Sequence, residues 1–72
     1  MTREKLIETL EDAGYAIKVD PNDTVHATNP DRAGILAEPT DRVINGWALH
    51  VGKNTLSDID DAINFSKRRI TR

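Results

Sequence analysis

Apolar residues open the chain at helical spacing. Leu6, Ile7, Leu10 and Ala13 line one side of a wheel whose remainder carries Arg3, Glu4, Glu8, Glu11 and Asp12, the repeat of an amphipathic helix. Thr2 is placed to cap the first turn, Met1 and Leu6 stand at the two positions of a hydrophobic staple, and Gly14 follows as a left-handed terminator. The spacing predicts a helix over 3–13. The period then changes to two. Tyr15, Ile17 and Val19 alternate with Ala16 and Lys18, as in a half-buried strand. Asp20-Pro21-Asn22-Asp23 has turn chemistry, and Thr24 to Thr28 returns as a second strand of the same hairpin.

Beyond residue 28 the pattern is less regular. Residues 29–42 read as a loop around a short apolar run, Ile35-Leu36-Ala37, which Pro39 limits to a short or edge strand. Asn45-Gly46 between apolar runs predicts a two-residue type I′ hairpin, setting Ile44 beside Trp47 on the face that also carries Leu49 and Val51. Gly52-Lys53-Asn54 reads as the end of that strand. Thr55 with Asp58 forms an approximate capping box, and Leu56, Ile59, Ala62, Ile63 and Ile70 share a helical face flanked by Phe65. That predicts a helix over 56–70. Asp58, Asp60 and Asp61 near its start and Lys67, Arg68 and Arg69 near its end complement the helix dipole. The expected fold is a single compact α+β domain over 1–72: helix, antiparallel β-meander of three to four strands, helix. Both helices should pack on one face of the sheet. The strand count turns on whether 35–37 joins the ladder.

Composition narrows what such a domain can do. A chain of 72 residues is one domain, and its interior has little room for an enclosed cofactor or a deep pocket of about 300–1,000 Å³. Function is expected on the surface. The chain has no cysteine, which excludes thiol chemistry and Cys-based zinc sites and favours a reducing, cytoplasmic setting. Its apolar runs are far shorter than the about 20 residues a membrane helix needs, and the charged N-terminus is not a signal peptide. A net charge of −2, from 12 acidic and 10 basic residues, is too balanced for a strong non-specific nucleic-acid binder.

Candidate chemistry is sparse. His26 and His50 fall at alternating strand positions and read as exposed side chains on the outer face, without the further ligands a zinc site requires. Asp20, Asn22 and Thr24 mimic the start of a calcium loop, but Val25 stands where glycine is required and Asp31 where glutamate is expected. Asp58, Asp60 and Asp61 are accounted for by the helix end. No nucleophile elbow or phosphate loop is present. No catalytic, metal or cofactor residue is assigned, and the chain is not expected to be an enzyme.

The expected function is a small non-enzymatic interaction module that binds a larger protein, of the inhibitor or adaptor kind. Its contacts would come from the 29–42 segment and the next strand: Arg32, Ile35, Leu36, Glu38, Arg42 and Trp47, the last serving either as core or as anchor. The general plan is that of many compact orphan proteins of phages and mobile elements, a likeness of shape that carries no motif and transfers no residue role. The alternative is a nucleic-acid accessory protein using Lys53, Lys67, Arg68, Arg69 and Arg72. A homodimer, through an exposed strand edge or through Phe65 and Ile70, is compatible with either.

Overall fold

A computed structural model describes residues 1–44 and 46–68. The first helix, α1 (Arg3–Asp12), is closed at both ends by local groups. Thr2 is extended and its hydroxyl oxygen accepts the Lys5 N–H at 3.2 Å. At the other end Gly14 takes φ +97°, and the Tyr15 and Gly14 N–H groups donate to the carbonyls of Leu10 and Glu11 at 3.1 and 3.0 Å. That is the double bond of a Schellman ending, which needs a left-handed residue at this point. The remaining carbonyls are met from β-structure. Arg32 Nη1 donates to Ala13 O at 2.7 Å, and Asn29 Nδ2 to Gly14 O at 2.9 Å. The last turn of α1 contains no basic residue, so Arg32 brings the cation that a helix C-terminus favours.

Five strands follow in an antiparallel meander whose spatial order equals its chain order: β1 (Ala16–Val19), β2 (Val25–Asn29), β3 (Arg32–Pro39), β4 (Trp47–Val51) and β5 (Asn54–Leu56). The second helix, α2 (Ile59–Arg68), closes the fold. Cross-strand register sorts the residues into two faces. Val19, Val25, Ala37, Leu49 and Leu56 form one row, and Ile17, Ala27, Ile35 and Val51 a second row on the same face. Both helices cover that face. Leu6 and Leu10 of α1 and Ile59, Ala62 and Ile63 of α2 join these side chains in one buried cluster. The fold is α+β, and no helix among the described residues is long and apolar enough to cross a membrane.

One buried polar relay ties the layers together. The Tyr15 hydroxyl donates to Ser66 Oγ at 2.6 Å, and Ser66 donates to Ala33 O at 2.5 Å. Tyr15 is 4% exposed and Ser66 0%. Each hydroxyl has the partner that burial demands.

Four expectations need correction. The sheet has five strands rather than three or four. The segment 29–42 is not a loop around a short edge strand: most of it is β3, eight residues long and central in the sheet. Pro39 occupies the last position of β3, opposite Trp47 and beyond the end of the β2 pairing at Val25 and Ala37, where its missing N–H interrupts neither ladder. Arg32, Ala33 and Gly34 have little strand character of their own; Arg32 is held by its pairing with Asn29 across an irregularity in the β2–β3 register, and β4 joins only from Ile35 on.

Asn45-Gly46 does not make a two-residue hairpin. Thr40 N–H donates to Gly46 O at 2.9 Å, closing the ladder there, while Gly46 N–H donates to Val43 O at 2.9 Å. Val43 and Ile44 therefore belong to the connection and pair with no strand. Ile44 is 108% exposed rather than seated beside Trp47, and Asn45 lies outside the described residues. The two-residue turn occurs instead at Gly52-Lys53, between the paired residues Val51 and Asn54. Gly52 has φ +61°, the glycine position of a type II′ turn.

The residues read as a strand end thus launch β5, and Thr55 is a strand residue. The cap of α2 is Asp58, whose Oδ2 accepts the Asp61 N–H at 3.1 Å. The helix begins three residues later than its apolar period suggests, because Leu56 fills that period from a strand. The predicted end of this helix, Arg69 and Ile70, lies outside the described residues, as do Thr71 and Arg72.

Candidate functional site

The face of the sheet turned away from the helices carries the alternate residues of the same strands. One row runs across all five: Lys18, His26, Leu36, His50 and Thr55. Glu38 and Ala48 pair beside it on one flank, Ala16 and Thr28 on the other. Leu36 sits at the centre, half-buried, with a histidine on each side.

Each histidine is held by a carboxylate. His26 Nε2 lies 2.5 Å from Asp20 Oδ2, and His50 Nε2 lies 3.3 Å from Glu38 Oε1. An ionised carboxylate only accepts, so each Nε2 carries the hydrogen. The second nitrogen of His50, Nδ1, is 3.0 Å from Thr55 Oγ1, and in the neutral ring it accepts the hydroxyl proton. These contacts fix both imidazoles in orientation. Between the rings lies a depression of about 380 Å³, lined by His26, Gly34, Leu36, His50 and Gly52 among others. It exists because Gly34 and Gly52 bring no side chain to its floor.

Glu38, His50 and Thr55 stand in the order carboxylate, imidazole, hydroxyl. That order does not by itself make a hydrolase. Among the described residues no group of three His, Asp or Glu side chains could hold a metal ion.

The residues expected to bind a partner are not gathered by the fold. Ile35 and Trp47 are 2% and 5% exposed and belong to the core. The Trp47 Nε1–H donates to Met1 O at 2.9 Å. Arg32 is engaged at the end of α1 and lies 5.6 Å over the Tyr15 ring, a cation–π distance. Leu36 and Glu38 reach the open face, and Arg42 is exposed in the connection 40–46. So two of the six residues share a surface, and His26 and His50, expected as exposed side chains on the outer face, join them there. The missed signal was register: with 32–39 recognised as a strand, His26, Leu36 and His50 fall into one row.

Of the cations in the nucleic-acid reading, Lys53 lies in the β4–β5 turn, while Lys67 and Arg68 end α2. The Ser66–Ala33 bond brings the end of α2 to the start of β3, and the pairing of Ile35 with Val51 sets Gly52-Lys53 at that same end of the sheet. Arg69 and Arg72 lie outside the described residues. No protein-family pattern, no curated protein and no solved structure matches this chain.

Proposed function

We propose that this protein is a non-enzymatic interaction module that docks a larger protein on the open face of its sheet. The observation that carries this reading is the central Leu36 between two histidines, each paired with a carboxylate of the chain itself. A face with a half-exposed leucine, an unfilled depression and little net charge complements an apolar or aromatic side chain of a protein. It offers a polyanion little. The ordered imidazoles lose little freedom on binding, which favours affinity. The lack of cysteine fits a reducing, cytoplasmic setting, and a small domain without a reactive group fits an inhibitor or adaptor.

The test is capture from a native lysate using the tagged chain and its Leu36→Glu variant, each with and without nuclease. A stoichiometric protein that survives nuclease and is lost with Leu36→Glu is the expected result. A partner retained by Leu36→Glu would rule out this face.

A second reading rests on the meeting of Lys53 with Lys67 and Arg68 at one end of the molecule. Those cations could contact phosphate, although Asp31, Glu11 and Asp12 lie in segments joined to the same end through Arg32 and Asn29. Under this reading nuclease would remove the captured material, and a Lys53→Glu/Lys67→Glu variant would flatten the salt dependence of nucleic-acid binding.

A further inference from the structure

The edge of the sheet at β1 carries an inference that does not depend on the open face. β1 has β2 as its only neighbour among the described residues. Asp20 N–H donates to Thr24 O at 2.9 Å, and hydrogen-bonded pairs recur at every second residue of an antiparallel ladder. With Lys18 opposite His26 and Ala16 opposite Thr28, the backbones of Ala16 and Lys18 turn toward β2. The N–H and C=O of Ile17 and Val19 therefore turn outward, and Val19 is also 39% exposed. The opposite edge, β5, is only three residues long.

We propose that a second copy of this chain pairs with β1, antiparallel across a two-fold axis, with Val19 opposite Val19 of the other copy. Charge and backbone chemistry select that register. Centring the axis on Lys18 would set two like charges directly opposite, which is destabilising. Centring it on Ile17 would require the Tyr15 N–H, already donated to Leu10 O at 3.1 Å. Centring it on Val19 sets Lys18 opposite Asp20 of the other copy, twice over. The Asp20 Oδ2 is held by His26, and a carboxylate accepts at its second oxygen as well. Val19 exchanges two backbone bonds with its counterpart, and the backbone pairing stops there because the chain of the other copy turns at Pro21, inside the bond from Asp23 N–H to Asp20 O. An isologous interface of this kind closes on itself. It leaves the open face uncovered, extended into one continuous sheet across the two copies. A single strand pair falls short of the about 1,000 Å² of a stable interface, so the dimer should be concentration-dependent.

Sedimentation velocity from about 10 μM to about 1 mM tests this, at concentrations spanning the weak range. The mass is expected to rise from the 8.0 kDa monomer toward twice that value. Lys18→Asp and Val19→Pro are expected to abolish the rise. Because Val19→Pro removes an outward N–H, neither should change the far-UV circular dichroism. Amide exchange on the unaltered chain provides a check independent of any variant: the Val19 N–H should slow several-fold at high concentration while the Thr55 N–H does not. A mass that stays at the monomer value throughout overturns the proposal. So does a dimer that survives Lys18→Asp, or one that leaves Val19 exchange unchanged.

Discussion

The two faces of this sheet are built from the same strands, one residue apart, and almost nothing else about them is alike. On the covered face Val25, Ala37 and Leu49 are each 0% exposed, under helices drawn from opposite ends of the chain. On the open face the row from Lys18 to Thr55 mixes a cation, two imidazoles, a leucine and a hydroxyl, and each imidazole is held by a carboxylate beside the row. The first face is selected for volume and the absence of polar atoms. The second is selected for which groups stand next to which. A one-residue slip of any central strand would exchange the two sets, so the same register that makes the core also assembles the surface.

Substitutions probe that division, beginning with the covered face. Leu49→Ala should cost about 2–5 kcal/mol, the range for a buried leucine that leaves a cavity, read from urea denaturation. Against a total of roughly 0.05–0.15 kcal/mol per residue, that would leave the variant marginal. An effect within about 0.5 kcal/mol, as for an ordinary surface change, would mean that the covered face is not the core. Ser66→Ala should cost about 1–3 kcal/mol, since it strands the Tyr15 hydroxyl and the Ala33 carbonyl in a dry site. Pairing it with Tyr15→Phe should recover part of that loss, and additive losses would argue against a relay. Asp58→Ala removes the cap of α2 and should cost about 0.5–2 kcal/mol, with the thermal midpoint as the readout. Leu36→Ser on the open face should stay within about 0.5 kcal/mol, yet weaken partner capture. A large loss of stability there would assign Leu36 to the core instead.

The legible and illegible parts of the fold divide along physical lines. α1 was readable to within a residue because its period, its threonine cap and its glycine ending all act within one short segment. The first hairpin was readable for the same reason: the turn chemistry of Asp20-Pro21-Asn22-Asp23 is local, and Asp23 N–H closes it on Asp20 O. β3 was not, because Arg32 enters the strand only through its pairing with Asn29 of β2, and β4 meets β3 only from Ile35 on. Asn45-Gly46 misled because turn chemistry sets a hairpin only if the flanking residues can pair. Val43 and Ile44 have the composition of a strand but sit beyond the end of the ladder at Gly46.

The candidate site shows the same dependence. His26, Leu36 and His50 are separated in sequence by ten and then fourteen positions, and no local pattern links them. Arg32 is bonded at the C-terminus of α1, a contact that only tertiary structure reveals.

The relay from Tyr15 through Ser66 to Ala33 also bears on how the protein is made. The meander consists of neighbouring hairpins and can form as the chain emerges. The Tyr15–Ser66 bond instead spans 51 positions, and long-range contacts are slow to close. A ribosome adding roughly 5–20 residues per second releases Tyr15 seconds before its partner. Through that interval the covered face of the young sheet lacks α2 and remains open to chaperones and to neighbouring chains.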